Sequence, residues 1–372
     1  MNTSSKSTDE VLVSCKSVWK VFGQNAANAM QAYRDKGLSK KQLLQDYGCV
    51  VGVADANLDV RRGEIFCIMG LSGSGKSTLI RLLNKLIAPS AGQVLVKGKD
   101  LATLSPVELR QVRARHIGMV FQAVALLPHR TVLENAAFGL EVQGVARAER
   151  NKVAEQALAK VGLSDWASRY PSELSGGMQQ RVGLARAITS DPEIILMDEP
   201  FSALDPLIRR QLQDEFRQLT KSLGKSAVFI THDLEEAIRI GDRIAIMKDG
   251  MIIQEGTAEE IVLNPADDYV ADFVAGISRL HLVKAHSVMT PYETFLQANP
   301  GIDVRLLSTA TPHSDLDELI NLLIQSGREA LLIVDGGQPV GVITPSDLLR
   351  GVQGVPNEAP KEQAKAVLEP SS

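Results

Sequence analysis

An eight-residue stretch rich in glycine and serine has the residue types that bind phosphate groups. It covers residues 70–77 with the sequence GLSGSGKS, which fits the P-loop pattern, GxxxxGK followed by Ser or Thr, at every fixed position. Glycines allow successive backbone N–H groups to turn toward phosphate oxygens, and a helix that begins at the end of the loop directs its positive pole at them. The pattern predicts a site for ATP or GTP. We expect its binding residues to be Gly70, Ser72, Gly73, Ser74, Gly75, Lys76, Ser77 and Thr78.

Three side chains near the loop suit different parts of a bound nucleotide. Lys76 can reach the β- and γ-phosphates, and the Ser77 hydroxyl can be a ligand of Mg²⁺. Phe22, at the end of the first predicted strand, could stack on the base or could belong to the core. An apolar run at residues 64–69 indicates a buried strand before the loop, and residues 78–83 have helical spacing. The sequence thus predicts a strand, loop and helix that hold the nucleotide.

Polar side chains also follow three other apolar runs. Asp198 and Glu199 end one run, where Asp198 could hold Mg²⁺ directly or through water and Glu199 could polarise a water toward the γ-phosphate. Gln122 and His232 each end another run. Ligands bind at the carboxyl ends of the strands in parallel sheets, so we expect these four side chains to share one edge of a sheet.

The string LSGGMQ at residues 174–179 places serine and two glycines at the start of a predicted helix. An exposed helix start with small residues predicts a second anion site. The alternative is that Ser175 is only an ordinary N-cap. The length and order of the string make that alternative improbable. Farther along the chain, a polar turn at residues 202–205 follows the run that ends in Asp198 and Glu199, and Asp205 in this turn directly precedes a helix.

The composition restricts the class of protein. The chain has 372 residues, 44% of them hydrophobic, which predicts two globular domains, with three as the alternative. A net charge of −4 gives no electrostatic argument for nucleic acid as a partner. The three cysteines are scattered, as is typical of free thiols in a reducing compartment. We find no signal peptide and no apolar run long enough to span a membrane. If the protein acts at a membrane, we expect it to dock onto another subunit.

These motifs together resemble the nucleotide-binding subunit of ATP-binding-cassette (ABC) transporters, and LSGGMQ is the discriminating one. The resemblance implies an α/β P-loop NTPase fold that binds ATP and Mg²⁺. It implies that Gln122 senses Mg²⁺ and the membrane subunit, and that Glu199 is the catalytic base. His232 would contact the γ-phosphate, and Asp205 would lie in the loop that joins two sites.

The same resemblance implies that the ATPase acts as a homodimer. Two copies would pack head to tail, so that the signature string of each closes on the ATP in the P-loop of the other. Separation of the two copies after hydrolysis would then drive a membrane partner. The residues expected to contact ATP across the dimer are Leu174, Ser175, Gly176, Gly177 and Gln179.

A closer resemblance is to the ATPases of bacterial importers that take up glycine betaine, choline or proline. It rests on helical sequence inserted at residues 24–48, on the string LLPHRTVLEN at 126–135 and on an added C-terminal domain. It implies permease subunits, an extracytoplasmic substrate-binding protein and a peripheral position on the cytoplasmic face of the inner membrane. Residues 123–140 would receive the permease. An importer of amino acids or other solutes is the alternative, ahead of a soluble cassette protein or a nucleotide-sensing regulator.

The C-terminal domain looks like a single CBS domain of α+β type. In that family Thr344 and Asp347 would contact the ribose of an adenine nucleotide, but the domain could instead serve only dimer packing. We find one complete copy where such domains work in pairs. Residues 281–356 contain four Lys or Arg against eight Asp or Glu, which weakens a role in sensing ionic strength through basic surface.

The sequence also predicts how these parts are arranged along the chain. Residues 24–48 are expected to form a surface insertion without a catalytic part. The predicted regions are a flexible N-terminus at 1–10, the ATPase domain at 11–276 with its signature subdomain at 123–185, the CBS-like domain at 281–356 and a flexible tail at 357–372.

Overall fold

The computed structural model describes residues 10–122 and 124–354, and nearly all of both predicted flexible ends lies outside them. The chain divides into two compact units, one that ends at Glu255 and one that begins at Gly256. The sequence placed this boundary later, at 276–281. The short helices between Gly256 and that point group with the C-terminal unit.

Two sheets form the framework of the first unit. One is antiparallel, with the order β2-β1-β4-β5, and the other has the order β10-β9-β3-β8-β7-β6. The strands are β1 (Val11–Phe22), β2 (Val50–Arg61), β3 (Ile65–Met69), β4 (Ala91–Val96), β5 (Lys99–Asp100), β6 (Ile117–Val120), β7 (Ile194–Asp198), β8 (Ser226–Thr231), β9 (Arg243–Lys248) and β10 (Met251–Gly256).

The second of these sheets positions the predicted catalytic residues. Strands β9, β3, β8, β7 and β6 run parallel to their neighbours, and every residue of β3, β7 and β8 is buried. Such continuous apolar strands are typical of a parallel sheet that is covered on both faces. Their carboxyl ends therefore meet at one edge, as the sequence predicts.

Helices cover this sheet and form the remainder of the unit. They are α1 (Ala26–Lys36), α2 (Lys40–Tyr47), α3 (Lys76–Leu83), α4 (Pro106–His116), α5 (Val132–Val142), α6 (Arg147–Lys160), α7 (Gly176–Thr189), α8 (Pro206–Ser222) and α9 (Leu234–Ile240), with 3-10 turns at Ser164–Trp166 and Pro171–Glu173. Capping residues in the sequence define the starts of α4 and α5. Ser105 and Thr131 each accept the N–H of a glutamate three residues later, whose side chain bonds back to them. Among the described residues, no helix has the length and apolar character needed to cross a membrane.

The helical insertion has a small core of its own. Buried Ala29, Ala32 and Leu43 from α1 and α2 pack with buried residues of β1 and β2, including Trp19 and Val51. The insertion is thus helical, as predicted, and is joined by apolar packing to the antiparallel sheet.

The C-terminal unit is a small sheet with helices. Its sheet has the order β11-β14-β13-β12, and β13 and β14 form a hairpin through Gly336 and Gly337, both with positive φ. Its core includes Leu316, Leu331 and Ile343. The elements are α10 (Ala258–Leu263), α11 (Asp268–Val274), α12 (Ala285–Val288), β11 (Thr290–Pro291), α13 (Tyr292–Ala298), a 3-10 turn (Val304–Leu306), β12 (Ser308–Ala310), α14 (Leu316–Ser326), β13 (Leu331–Asp335), β14 (Gln338–Ile343) and α15 (Pro345–Gln353).

Candidate functional site

The P-loop connects the end of β3 to the start of α3. Gly75 has a φ of 109°, and a Cβ atom there would lie 2.2 Å from the carbonyl oxygen of Gly52, so only glycine fits. The hydroxyl of Ser74 is buried and has no hydrogen-bond partner within the described part of the chain. A buried hydroxyl without a partner is costly, and a ligand in the loop would satisfy it. Both features suit a backbone cradle for phosphate.

Lys76, the first residue of α3, has a side chain that is 4% exposed. Its Nζ donates hydrogen bonds to the carbonyl oxygens of Gly70 at 2.8 Å and Leu71 at 3.1 Å, and it lies 3.9 Å from Oε1 of Glu199. Burial lowers the pKa of Lys76, and the negative charges of Glu199 and Asp198 counteract this effect. The ammonium group is therefore held inside the loop.

Two oxygen ligands suitable for Mg²⁺ lie next to the loop. The Ser77 hydroxyl donates a hydrogen bond of 2.8 Å to Oδ1 of the buried Asp198. The other carboxylate oxygen, Oδ2, is 3.7 Å from Nη2 of Arg81. Within residues 10–122 and 124–354, no group of three His, Cys, Asp or Glu side chains could hold a metal alone. Mg²⁺ is commonly bound by one or two protein oxygens together with substrate phosphates.

Glu199 and His232 come together from neighbouring strands. Glu199 follows β7 and His232 follows β8, and Nδ1 of His232 lies 3.1 Å from Oε2 of Glu199. Glu199 has a φ of 44°, and its N–H donates to the carbonyl oxygen of Ile230 at 3.2 Å. The structure thus brings Glu199 and His232, two of the four side chains expected at this edge, into contact, and Lys76 lies beside Glu199.

Two other predicted residues, Phe22 and Gln122, are exposed. Phe22 is 41% exposed, and Nζ of Lys20 lies 5.1 Å from its ring centroid. A Cβ atom on Gly52 would lie 2.8 Å from Cε2 of Phe22 and 3.1 Å from Cγ2 of Thr78, so the ring lies near the first turn of α3. Gln122 is exposed and lies two residues beyond the end of β6.

The signature string lies at the start of α7. Ser175 is its N-cap and accepts the N–H of Met178 at 3.4 Å, while the Gln179 amide donates to the carbonyl oxygens of Pro171 and Leu174. The glycines Gly176 and Gly177 line a cavity of about 600 Å³ together with Asp205. No P-loop residue is among the described residues that line this cavity. Asp205 is the N-cap of α8, accepting the N–H groups of two residues in its first turn.

Comparison with known proteins identifies the family to which the chain belongs. Residues 53–202 match the family described as ABC transporter, and residues 304–354 match the CBS domain. The chain is 48% identical over 345 residues to the glycine betaine/proline betaine transport system ATP-binding protein ProV of Salmonella typhimurium, covering 91% of this chain and 83% of that protein. The chain belongs to the ATP-binding subunits of ABC transporters. It is therefore an ATP hydrolase of this family.

Other relatives of this ABC subunit are also named as ATP-binding proteins of transport systems. The glycine betaine transport ATP-binding protein OpuAA of Bacillus subtilis is 52% identical over 304 residues, which cover 81% of this chain and 72% of that protein. The trimethylamine N-oxide transport system ATP-binding protein TmoW of Ruegeria pomeroyi is 43% identical over 332 residues, covering 89% of this chain and 94% of that protein.

Solved structures agree with the ABC fold. An ATP-binding cassette solved as a dimer in a post-hydrolysis state with ADP and Pi has a TM-score of 0.56 and 32% identity, covering 66% of this chain and 99% of that chain. A cassette from Clostridium perfringens, part of the complex cbiONQ, has a TM-score of 0.57 and 23% identity over 69% of this chain and 93% of its own. The latter likeness supports the fold alone.

In the CBS domain of this ABC subunit, Thr344 and Asp347 bond to each other. The Thr344 hydroxyl donates to Oδ2 of Asp347 at 2.7 Å, and the Thr344 N–H donates to the same oxygen at 2.9 Å. Asp347 is buried, and its own N–H donates to the Thr344 hydroxyl. This is a capping box for α15. A role in binding a nucleotide stays a prediction.

Gly52 is a site residue that no sequence motif indicates. Its carbonyl oxygen faces Gly75 in the P-loop, and its Cα faces Phe22 and Thr78. A glycine within a predicted strand can indicate a close approach of other backbone. That signal identifies no partner, because Gly52 and the loop are brought together by the packing of two different sheets.

Proposed function

We propose that this ABC subunit hydrolyses ATP to energise a bacterial importer of quaternary amines and related osmoprotectants. The candidate solutes are glycine betaine, choline and proline betaine or proline. The observation that carries the proposal is the 48% identity over 91% of the chain to a subunit named for glycine betaine and proline betaine. Similarity confined to the cassette, residues 53–202, would be shared by importers of many solutes.

An importer of another small solute is the second candidate. The 43% identity over 89% of the chain to a subunit named for trimethylamine N-oxide favours it. Trimethylamine N-oxide and glycine betaine both have a fully substituted, methylated nitrogen, so the two candidates share one chemistry. Importers of amino acids are a broader form of this alternative, and a soluble cassette protein ranks below both.

The P-loop residues would bind the phosphates of ATP. Backbone N–H groups of residues 70–77 would turn toward the phosphate oxygens. Lys76 would exchange its bonds to two loop carbonyls for bonds to phosphate oxygens. Ser77 and Asp198 would hold Mg²⁺, which supplies positive charge to the β- and γ-phosphates when bound. Phe22 would stack on the base, since its ring is exposed beside Thr78.

Glu199 would act as the general base. Its carboxylate would accept a proton from the water whose oxygen bonds to the γ-phosphorus, while the bond from that phosphorus to the ADP oxygen breaks. His232, 3.1 Å from the carboxylate, would hold Glu199 in position and contact the γ-phosphate. Gln122 would report the state of this site, because it lies beside the same sheet edge.

Two copies of the chain would complete the site. The start of α7 has exposed small residues that can approach a phosphate. It lines a cavity, and none of the described residues around that cavity belongs to the P-loop. In a head-to-tail dimer, Ser175, Gly176 and Gly177 would close on the ATP of the partner, flanked by Leu174 and Gln179. Asp205 lines the same cavity, and Leu207 after it is 76% exposed, as suits an interface.

The membrane partner would dock beside α5. A cavity of about 590 Å³ between α4, α5 and α7 is lined by Val107, Arg110, Phe138, Val142 and Arg186 among others. Val107 is 54% and Val142 is 71% exposed. An apolar groove with basic residues suits a helix of a permease, and it overlaps the predicted docking residues 123–140, of which Ala123 lies outside the described part. The subunit would then sit on the cytoplasmic face of the inner membrane, and an extracytoplasmic binding protein would select the solute.

Solute uptake tests this proposal. We would measure uptake of labelled glycine betaine, choline, proline and trimethylamine N-oxide, with and without raised osmolarity, in cells that carry the chain and its membrane partners. The Glu199→Gln form is the matched control, because it keeps the size of the side chain. We expect uptake of glycine betaine or choline that the variant loses.

The result also ranks the alternatives. Uptake of trimethylamine N-oxide alone would favour the second candidate. Equal uptake of all four solutes by both forms would contradict the proposed substrates, while the ATPase assignment would stand.

A further inference from the structure

The insertion formed by α1 and α2 contacts a hairpin turn that is far away in sequence. The hydroxyl of Tyr33 donates to the sulfur of Met251 at 3.5 Å, across 218 positions of sequence. Nζ of Lys40 lies 4.0 Å from Oδ1 of Asp249. The ring of Tyr33 also packs edge-on against Trp19, with 5.5 Å between centroids. Both insertion helices thus touch the turn at 249–251, which joins β9 to β10.

This turn bonds to the backbone of the P-loop at Ser74. The N–H of Gly250 donates to the carbonyl oxygen of Ser74 at 2.8 Å, and the Gly250 carbonyl accepts the N–H of Ala54 at 2.8 Å. Asp249 and Gly250 have φ angles of 50° and 83°, as in the tight turns favoured by Asp-Gly pairs. Through these two bonds, the turn links the P-loop to β2.

The base of the insertion adjoins the predicted base-stacking residue. Phe22 pairs with Val50 in the ladder of β1 and β2, and the insertion leaves and rejoins the sheet between them. A Cβ atom on Gly23 would lie 2.6 Å from Sγ of Cys49, so the two ends of the insertion are in close contact. The insertion therefore fixes the strand end that carries Phe22.

We propose that α1 and α2 brace the nucleotide site, and that Tyr33 and Lys40 are positioning residues for ATP. They hold the 249–251 turn where Gly250 supports Ser74. This inference rests on the proposed ATP site and gives the insertion a part in it, whereas the sequence predicted none. Loss of the brace leaves the catalytic side chains in place but loosens the phosphate cradle, so it weakens binding more than the chemical step.

Steady-state kinetics of the full chain with its membrane partners test the brace. We expect the double variant Tyr33→Ala, Lys40→Ala to raise the KM for ATP about fivefold, with less than about a twofold change in kcat. The matched control is Lys41→Ala, because Lys41 is an exposed lysine on the same helix with no contact to the turn among those described. Tyr33→Phe keeps the ring against Trp19 and removes only the hydroxyl that bonds to Met251, so it should raise the KM in the same direction but by less than the double variant.

A milder variant covers the case in which the double variant does not fold. Asp249→Asn keeps a residue suited to positive φ and removes only the charge that faces Lys40, so a smaller rise in KM with unchanged kcat is expected. KM values equal to that of Lys41→Ala for both variants would overturn the inference. If the wild-type complex fails to hydrolyse ATP, the proposed function fails instead, so the two failures are distinguishable.

Discussion

Glu199 has a backbone conformation that residues with a Cβ atom seldom adopt. A φ of 44° costs an L-residue roughly 1–2 kcal/mol, so the surroundings must fix it. The N–H of Glu199 bonds to Ile230 on β8, and its carbonyl accepts the Ser202 hydroxyl at 3.1 Å. These bonds orient the carboxylate toward His232. Strain of this kind concentrates at functional sites, in agreement with a catalytic role.

Gly52 provides a prediction at the same scale. In Gly52→Ala, the new Cβ would meet Phe22 at 2.8 Å and Thr78 at 3.1 Å, both shorter than a normal contact. The ring must move away, so we expect the Kd of an ATP analogue to rise about three- to tenfold, because stacking on one aromatic ring contributes about 1 kcal/mol. An equilibrium fluorescence titration measures this Kd.

The control for Gly52→Ala is Gly301→Ala. A Cβ atom on Gly301 meets nothing within 4 Å, so this variant should bind the analogue as the wild type does. Equal Kd values for the two variants would mean that Phe22 is no part of the nucleotide site.

Motif residues could be predicted from sequence because each carries a local signal. The spacing of Gly70, Lys76 and Ser77 is sufficient to identify a phosphate loop, and Asp198 and Glu199 follow an unbroken apolar run. Gly52 could not be predicted. Its role depends on a backbone approach between two sheets, and one residue type in a strand does not reveal that approach.

At the scale of elements, the apolar runs predicted the parallel strands and hence their common edge. They predicted the ends of the strands less accurately. The apolar run was expected to end at Gln122, but β6 ends at Val120, two residues earlier. The contacts of the insertion with the turn at 249–251 could not be predicted. They join segments more than 200 positions apart, and neither segment has a local pattern that points to the other.

Glu193 joins several elements through its charge. Its carboxylate accepts hydrogen bonds from Arg62 at 2.7 Å and from Lys97, and it lies 3.1 Å from Nδ1 of His116. Burial raises the pKa of Glu193, but the bonds from Lys97, Arg62 and His116 lower it to about 2. Because this value is below the ordinary 4.5, the stabilisation is complete above pH 4.5 and is lost as the pH falls toward 2.

We therefore expect Glu193→Gln to lower the free energy of unfolding at pH 7 by about 1–3 kcal/mol. Between pH 5 and 3 the variant should lose less stability than the wild type, since it has no proton to take up at this position. Urea unfolding at several pH values measures both effects. Glu155→Gln, at an exposed position, should change neither, and parallel pH profiles for Glu193→Gln and wild type would refute the role of this charge.

At the scale of the whole molecule, the P-loop and the signature string belong to different parts of the first unit. The P-loop cluster lies at one sheet edge, whereas the signature string lines a cavity around which the structure describes no P-loop residue. A head-to-tail dimer would bring each half to its counterpart on the other copy. The resemblance to ABC cassettes implies this arrangement. The sequence placed the end of the first unit later than Glu255, because the boundary depends on long-range packing.

Mixing two inactive variants tests the head-to-tail arrangement. Lys76→Ala disables the P-loop, and Ser175→Arg blocks the signature string. A mixed dimer would have both lesions in one site and an intact second site. Random mixing should therefore restore hydrolysis to about a quarter of the wild-type rate, since half of the dimers are mixed and each keeps one of two sites. No gain over the separate variants would indicate that each chain forms its site alone.

The steady-state rate of ATP hydrolysis by Glu199→Gln tests most directly whether Glu199 is the catalytic base. Gln has nearly the same size as Glu and keeps the backbone bonds, but it cannot accept a proton. We predict a rate at least about 100-fold below wild type, with ATP binding retained and the closed dimer accumulating in size-exclusion chromatography. A rate within a few-fold of wild type would contradict the assignment of Glu199 as the catalytic base.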